Sequence, residues 1–107
     1  MRVISGKARG LKLIAPDGLD TRPTTDRVKE SVFNLLIPYL PAHSVLDLFA
    51  GSGAMGIEAV SRYCDRCVFV ENNRASLEVI HKNFEKARIS DDCNVISGDA
   101  LSFLSSA

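Results

Sequence analysis

Three acids fall where a chain of alternating strands and helices would carry working groups. Asp47 interrupts the apolar run 45–49, Glu71 ends the run 67–70, and Asp99 follows the run 93–96 after Ser97-Gly98. Just past the first acid comes Gly51-Ser52-Gly53, a turn at which a ligand can come against the main chain without meeting a Cβ. From Ala54 onward, Met55, Ile57, Ala59 and Val60 take helical spacing. A strand, a glycine turn and a helix N-terminus in direct succession point free N–H groups into the turn. That is a site for a nucleotide-like ligand with a negative end.

The acids narrow the ligand. Glu71 stands twenty positions after Gly51, where an acid ending the second strand accepts both ribose hydroxyls of an adenosine. Asp99 is placed to accept from an adenine exocyclic amine, with the neighbouring main chain serving a ring nitrogen. Asp47 is badly placed for a dinucleotide, because a carboxylate beside a pyrophosphate repels it. S-adenosylmethionine removes the objection: it has no phosphate, its amino and sulfonium groups are cationic, and its one carboxylate can face the helix N-terminus. Gly51, Gly53 and Gly56 also spell G-x-G-x-x-G, which leaves an NAD(P)- or adenosyl-ligand-binding module without chemistry as the alternative. Capping a short helix is the plainer role for Asp99, but capping does not explain three acids at three successive strand ends.

The elements that must position these groups follow a βα rhythm. Strands 45–49, 67–70 and 93–96 alternate with a helix from Ala54, a helix 74–87 with Leu77, Ile80, Phe84 and Ala87 inward, and a short helix through Leu101, Phe103 and Leu104. This predicts an α/β, Rossmann-like domain: a parallel sheet with right-handed crossovers and flanking helices. Upstream, Thr24 or Thr25 can cap a helix whose Val28, Val32, Leu35, Leu36 and Tyr39 recur on one face, predicted to lie on a core, with Pro38 and Pro41 ending it. Residues 2–5 and 11–15 are β-like and flank Gly6-Lys7-Ala8-Arg9-Gly10, which predicts an N-terminal β-hairpin arm. The chain therefore divides into an arm and loop, 1–21, and part of a single Rossmann-like domain, 22–107.

Charge and composition add bounds. The 107 residues carry zero net charge and are 46% hydrophobic, ordinary for a globular chain. The first acid is Asp17, so the arm presents only Arg2, Lys7, Arg9 and Lys12. Such an element would grip a polyanion, and with no aromatic beside it would hold RNA rather than read it; a solvated surface loop is the plainer alternative. No run reaches membrane-spanning length and no secretory apolar core opens the chain, so the expected location is the cytoplasm, with no membrane partner. Three cysteines, an odd number, do not make a disulfide framework. Cys64-Asp65-Arg66-Cys67 lacks a second pair, so no metal or redox role is expected, and Cys93 reads as a buried strand residue. His43 and His81 have no partner visible in the sequence, and Ser52 lacks the context of a nucleophile elbow.

The segment Asp47-Leu48-Phe49-Ala50-Gly51-Ser52-Gly53 resembles the cofactor signature of class I S-adenosylmethionine-dependent methyltransferases. Val70-Glu71-Asn72 and Gly98-Asp99-Ala100 resemble the next two motifs of that class. Arg2-Val3-Ile4-Ser5-Gly6-Lys7 with Arg9-Gly10, and Arg22-Pro23-Thr24-Thr25-Asp26-Arg27-Val28-Lys29-Glu30 with Phe33-Asn34, are similar to the RsmD family. Those are bacterial enzymes that methylate the N2 amine of a guanine in 16S ribosomal RNA. The resemblance implies S-adenosyl-L-methionine as cofactor and ribosomal RNA or the small ribosomal subunit as partner. It implies cofactor contacts from Asp47, Ala50, Gly51, Ser52, Gly53, Glu71, Asn72, Asp99 and Ala100. Thr24 and Arg27 would stand at the cofactor and RNA entrance, and Arg2, Lys7, Arg9, Lys12 and Arg22 on RNA. The Asn/Asp-Pro-Pro-Tyr/Phe segment expected of the family is missing, because Pro16, Pro23, Pro38 and Pro41 are the only prolines and none adjoins another. The expectation is therefore the N-terminal part of a longer enzyme, truncated after the third strand, with no catalytic residue of its own and inactive alone. In that fold the first strand lies between the second and fourth, so the edge of 45–49 would be bare and the chain would self-associate.

Overall fold

The computed structural model describes residues 2–15, 26–48, 50–62 and 64–106. Three parallel strands, β1 (Ala42–Asp47), β2 (Cys64–Glu71) and β3 (Cys93–Ser97), form one sheet in the order β1-β2-β3. Helices α1 (Asp26–Leu36), α2 (Ala54–Arg62), α3 (Arg74–Ala87) and α4 (Ala100–Ser106) flank it. The register sets Asp47 beside Phe69 and Glu71 beside Ser97, which brings the carboxyl ends of all three strands to one rim. That rim is where ligands of open α/β sheets bind.

Local chemistry explains the elements. At the start of α3 the Asn73 side chain accepts from the Ser76 N–H at 3.0 Å, the usual N-cap bond. At its end Arg88 adopts φ 58°, and the Arg88 and Ile89 N–H groups donate to the carbonyls of Glu85 and Phe84, both at 3.1 Å. Ile80 and Phe84 face the core, where the Phe84 ring centroid lies 4.8 Å from that of Phe69. Ile57, Val60, Phe69 and Ile80 belong to one cluster, and burying each such side chain contributes roughly 1.5–3 kcal/mol.

The N-terminal segment is built into this core. Arg2 and Lys12 form an isolated antiparallel bridge, the Val3 N–H donates to the Leu11 carbonyl at 2.8 Å, and Val3 and Leu13 are buried in the main cluster. Its turn is fastened to α2, with the Lys7 N–H on the Ser61 carbonyl at 2.8 Å and the Ala8 N–H on Ser61 Oγ at 2.9 Å. Asn83 of α3 is fully buried and clamps Ile14 from both sides: its Oδ1 accepts the Ile14 N–H at 2.8 Å and its Nδ2 donates to the Ile14 carbonyl at 2.9 Å.

Several sequence expectations are corrected. β1 begins at Ala42 and ends at Asp47, not 45–49, and β2 begins at Cys64 rather than 67. The stripe expected to bury α1 faces outward, with Val28 50%, Leu35 77% and Tyr39 76% exposed, and the helix buries Lys29 and Phe33 instead. Helical spacing shows that residues share a face, but the partner chosen here is a charge: Lys29 reaches Glu58 of α2. His43 does have a partner, Asp65, at 2.9 Å on an exposed surface. The proposed caps Thr24 and Thr25, together with Arg22 and Phe49, lie outside the described residues.

Candidate cofactor crevice

The glycine turn is held from two sides. After β1 the chain stays on the sheet through the Ala50 N–H, which donates to the Val70 carbonyl at 3.1 Å. Gly51 and Gly53 then adopt φ of 56° and 85°, values that disfavour any side chain. At Gly53 a Cβ would also lie 2.7 Å from Cγ1 of Ile80. Asn83 Nδ2 donates to the Ser52 carbonyl at 3.0 Å, so the same buried amide that fixes residue 14 fixes the turn. The Ile57 N–H donates to the Gly53 carbonyl at 2.8 Å, which starts α2 immediately.

Glu71 organises the other side. Its Oε1 accepts the Gly51 N–H at 2.7 Å, and its Oε2 accepts the N–H groups of Asn72 at 3.2 Å and Asn73 at 2.9 Å. A carboxylate has about four acceptor positions. Three are taken by main-chain donors, so in this arrangement about one remains for a hydroxyl rather than the two expected from the sequence.

Asp99 works partly as a cap. Its Oδ2 accepts the Ser102 N–H at 3.1 Å, which fixes the first turn of α4, while among the described residues its Oδ1 takes no hydrogen bond. Leu48, Glu71, Asn72, Asp99 and Ala100 line one crevice of about 50 Å³. That volume holds little more than a water molecule or two, so a nucleoside would rest across its lip. Asp47 does not line this crevice. It borders a neighbouring apolar cleft of about 300 Å³ with Phe33, Val45 and Met55, and Leu48 is common to both.

The remaining sequence candidates are dispersed. Arg27 is exposed on α1 and borders neither the crevice nor the cleft. Arg2 pairs with Asp26 at 3.0 Å and Lys7 with Asp92 at 3.6 Å, both near the surface. Arg9 and Lys12 are exposed, and the Lys12 carbonyl accepts from the Lys86 ammonium at 2.5 Å.

A charged centre between α1, α2 and the N-terminal segment escaped the sequence reading. Glu58 and Lys29 are both fully buried and meet at 3.2 Å, and Arg62 reaches the second Glu58 oxygen at 2.7 Å while lying 4.6 Å above the Phe33 ring. The Ile4 and Ser5 N–H groups donate to the same carboxylate at 2.9 and 3.1 Å, and the Lys29 ammonium donates to the Arg2 carbonyl. Burial alone would raise the Glu58 carboxyl; the bonds from Arg62, Ile4 and Ser5 and the Lys29 charge reverse this and hold it below the ordinary value. The available signal was one acid amid the apolar positions of α2. Burial has the opposite consequence for the thiols: it raises Cys64 and Cys67 and pushes Cys93 up to about 12. Cys64 packs with Phe33 and Ala59 while Cys67 lies in the main cluster, so the C-x-x-C pair does not share one environment.

A parallel sheet whose first βα turn is glycine-rich, with acids at successive strand ends, has the class I methyltransferase fold. The chain superposes on the solved structure of yhhF from Escherichia coli with a TM-score of 0.85 and 41% identity, over 97% of this chain and 55% of that one. The whole chain, residues 1–107, matches the model of the family described as conserved hypothetical protein 95. It therefore belongs to that family, the RsmD family that its motifs resemble. It is 45% identical over 100 residues to YlbH of Bacillus subtilis strain 168, covering 94% of this chain and 54% of that protein. It is 43% identical over 104 residues to the ribosomal RNA small subunit methyltransferase D of Escherichia coli strain K12, covering 97% and 52%. The chain thus spans about half the length of the curated relatives it matches. Among the described residues no helix is long and apolar enough to cross a membrane.

Proposed function

We propose that this chain holds S-adenosylmethionine for methylation of the exocyclic N2 amine of a guanine in 16S ribosomal RNA, in the cytoplasm. The reading is supported above all by the meeting of Glu71, Asn72, Asp99 and Ala100 in one crevice beside the turn that Glu71 braces. In it, a ribose hydroxyl donates to Glu71, the adenine amine donates toward Asp99 Oδ1, and the Ala100 main chain serves a ring nitrogen. The donor's carboxylate faces the N–H groups of the Gly51–Gly53 turn and the first turn of α2, where the helix dipole favours an anion. Its cationic groups lie toward Asp47, a residue that borders the adjoining cleft. The bound donor supplies a methyl group made electrophilic by its sulfonium.

The other half of the chemistry is holding the guanine amine and stacking the extruded base. The 107 residues contain no Asn/Asp-Pro-Pro-Tyr/Phe stretch, so by themselves they bind the donor without transferring its methyl. In this reading Thr24 and Arg27 stand at the cofactor and RNA entrance, and Arg2, Lys7, Arg9, Lys12 and Arg22 hold RNA. The chain also self-associates through the outer edge of β1. The G-x-G-x-x-G spelling supplies the competing ligand. Calorimetric titration with S-adenosylmethionine and, separately, NADH tests the choice: saturable binding of the first alone is expected, and saturable binding of NADH alone overturns the reading.

A further inference from the structure

Lys7, Arg9, Lys86 and Arg88 border one groove of about 410 Å³ between the turn 7–10 and the C-terminal end of α3, and among the described residues no acid lines it. Two of these cations, Lys86 and Arg88, come from the far end of α3, remote in sequence from the basic arm they join. The groove is built rather than incidental. Its turn is fixed to α2 through Ser61, and Lys86 ties α3 to it through the Lys12 carbonyl at 2.5 Å, leaving two ammonium N–H donors over. Lys7 shares its charge with Asp92 at 3.6 Å, whereas among the described residues the guanidinium groups of Arg9 and Arg88 make no hydrogen bond or ion pair. Arg88 also occupies the left-handed cap position with φ 58°, where glycine is the usual residue and an arginine carries a backbone penalty. At Gly10 a Cβ would meet nothing within 4 Å, so the groove is open there, and because the Lys7, Ala8, Arg9, Gly10 and Leu11 N–H groups all donate within the protein, the side-chain cations are what an anion would meet.

The groove lies at the far end of α3 from the crevice. That helix starts three residues after Glu71 and runs 14 residues, a length of about 21 Å. We propose that this groove is a second, remote seat for the phosphodiester backbone of the RNA, held while the target base is presented at the opposite rim. The proposal rests on the reading above that the substrate is RNA. At one phosphate per strand for about every 3.4 Å of duplex axis, a helical RNA reaching both places spans about six base pairs, and an extended single strand needs fewer nucleotides. An acidic protein is the weaker fit, since the core of a protein interface is apolar and depleted of charge, and among the described residues the groove offers only Ala8, Leu11 and Ala87 beside its four cations.

The test is fluorescence anisotropy of a labelled small-subunit ribosomal RNA fragment with the chain, over a series of KCl concentrations, for the unaltered chain, Arg9→Glu/Arg88→Glu, and Arg88→Gly. Glycine at position 88 keeps the cap and removes only the cation, so it separates lost contact from lost fold. The expected result is at least a tenfold rise in Kd for the double variant and a salt slope shallower by about 1 in log–log units for each cation removed, with titration by S-adenosylmethionine unchanged. Unchanged RNA affinity and slope in both variants overturn the proposal, as does an unaltered chain that binds polyglutamate but not RNA. Loss of RNA binding in a chain that never binds S-adenosylmethionine keeps the groove and overturns the cofactor reading instead.

Discussion

Glu71 Oε1 accepts the Gly51 N–H at 2.7 Å, so the acid that ends β2 holds the turn that follows β1. Ligand contact and turn geometry are therefore not separable at this residue. Glu71→Ala removes three main-chain bonds to a charged acceptor, each worth about 1.5–3 kcal/mol. The expected outcome is an S-adenosylmethionine affinity at least tenfold weaker by calorimetry, with Glu71→Gln in between because its one carbonyl can still accept. Unaltered affinity in Glu71→Ala would remove Glu71 from the site.

The buried Lys29–Glu58 pair makes a stability prediction. Glu58→Ala leaves the Lys29 ammonium buried with the Arg2 carbonyl as its remaining partner, and breaking such a pair by removing one member destabilises by about 3–5 kcal/mol. Urea unfolding should show that loss, while replacing Lys29 and Glu58 together by Met and Leu should lose less. A change under about 1 kcal/mol in Glu58→Ala would contradict the pairing.

The same carboxylate sets a pH dependence. The folded-state value of Glu58 is held below its ordinary 4.5, so the folded state binds fewer protons there than the unfolded chain. Its contribution is complete above about 4.5 and is lost as pH falls through the lower folded value. The urea midpoint of the unaltered chain should decline on acidification below that point, and Glu58→Gln should flatten the decline. Parallel declines in the two proteins would assign the effect to other groups.

An open strand edge beside exposed apolar residues predicts association. Among the described residues nothing pairs with β1 on the side away from β2, and Leu46, Ile37 and Tyr39 are exposed nearby in sequence. Such edges pair with other chains, and a lysine placed on one suppresses it. Sedimentation velocity should show a coefficient that rises with concentration and falls back in Leu46→Lys. A single monomeric species up to high concentration would refute it.

Much of the fold was legible because its signals are local. The Leu77, Ile80, Phe84 and Ala87 spacing marked α3, and Glu71 and Asp99 could be placed at strand ends from short apolar runs. What was hidden depends on which surfaces meet. Nothing in the spacing marks Lys29 for burial, yet Glu58 draws it inward, and the Val28 to Tyr39 stripe reads as a core face for want of that information. Lys86 and Arg88 join the basic arm only because α3 carries them back along the sheet. Glu71's commitment to three main-chain donors depends on how the turns close, which residue spacing does not encode.

Whether the crevice seats the donor's adenosine is tested most directly by ¹H–¹⁵N correlation spectra of the labelled chain titrated with S-adenosylmethionine. The account expects saturable shifts concentrated at Gly51, Glu71, Asn72, Asp99 and Ala100, with little change at Ala8 or Arg88 and none of this pattern with NADH. Shifts that spare the Glu71 and Asp99 amides, or the same pattern produced by NADH in place of S-adenosylmethionine, would contradict it.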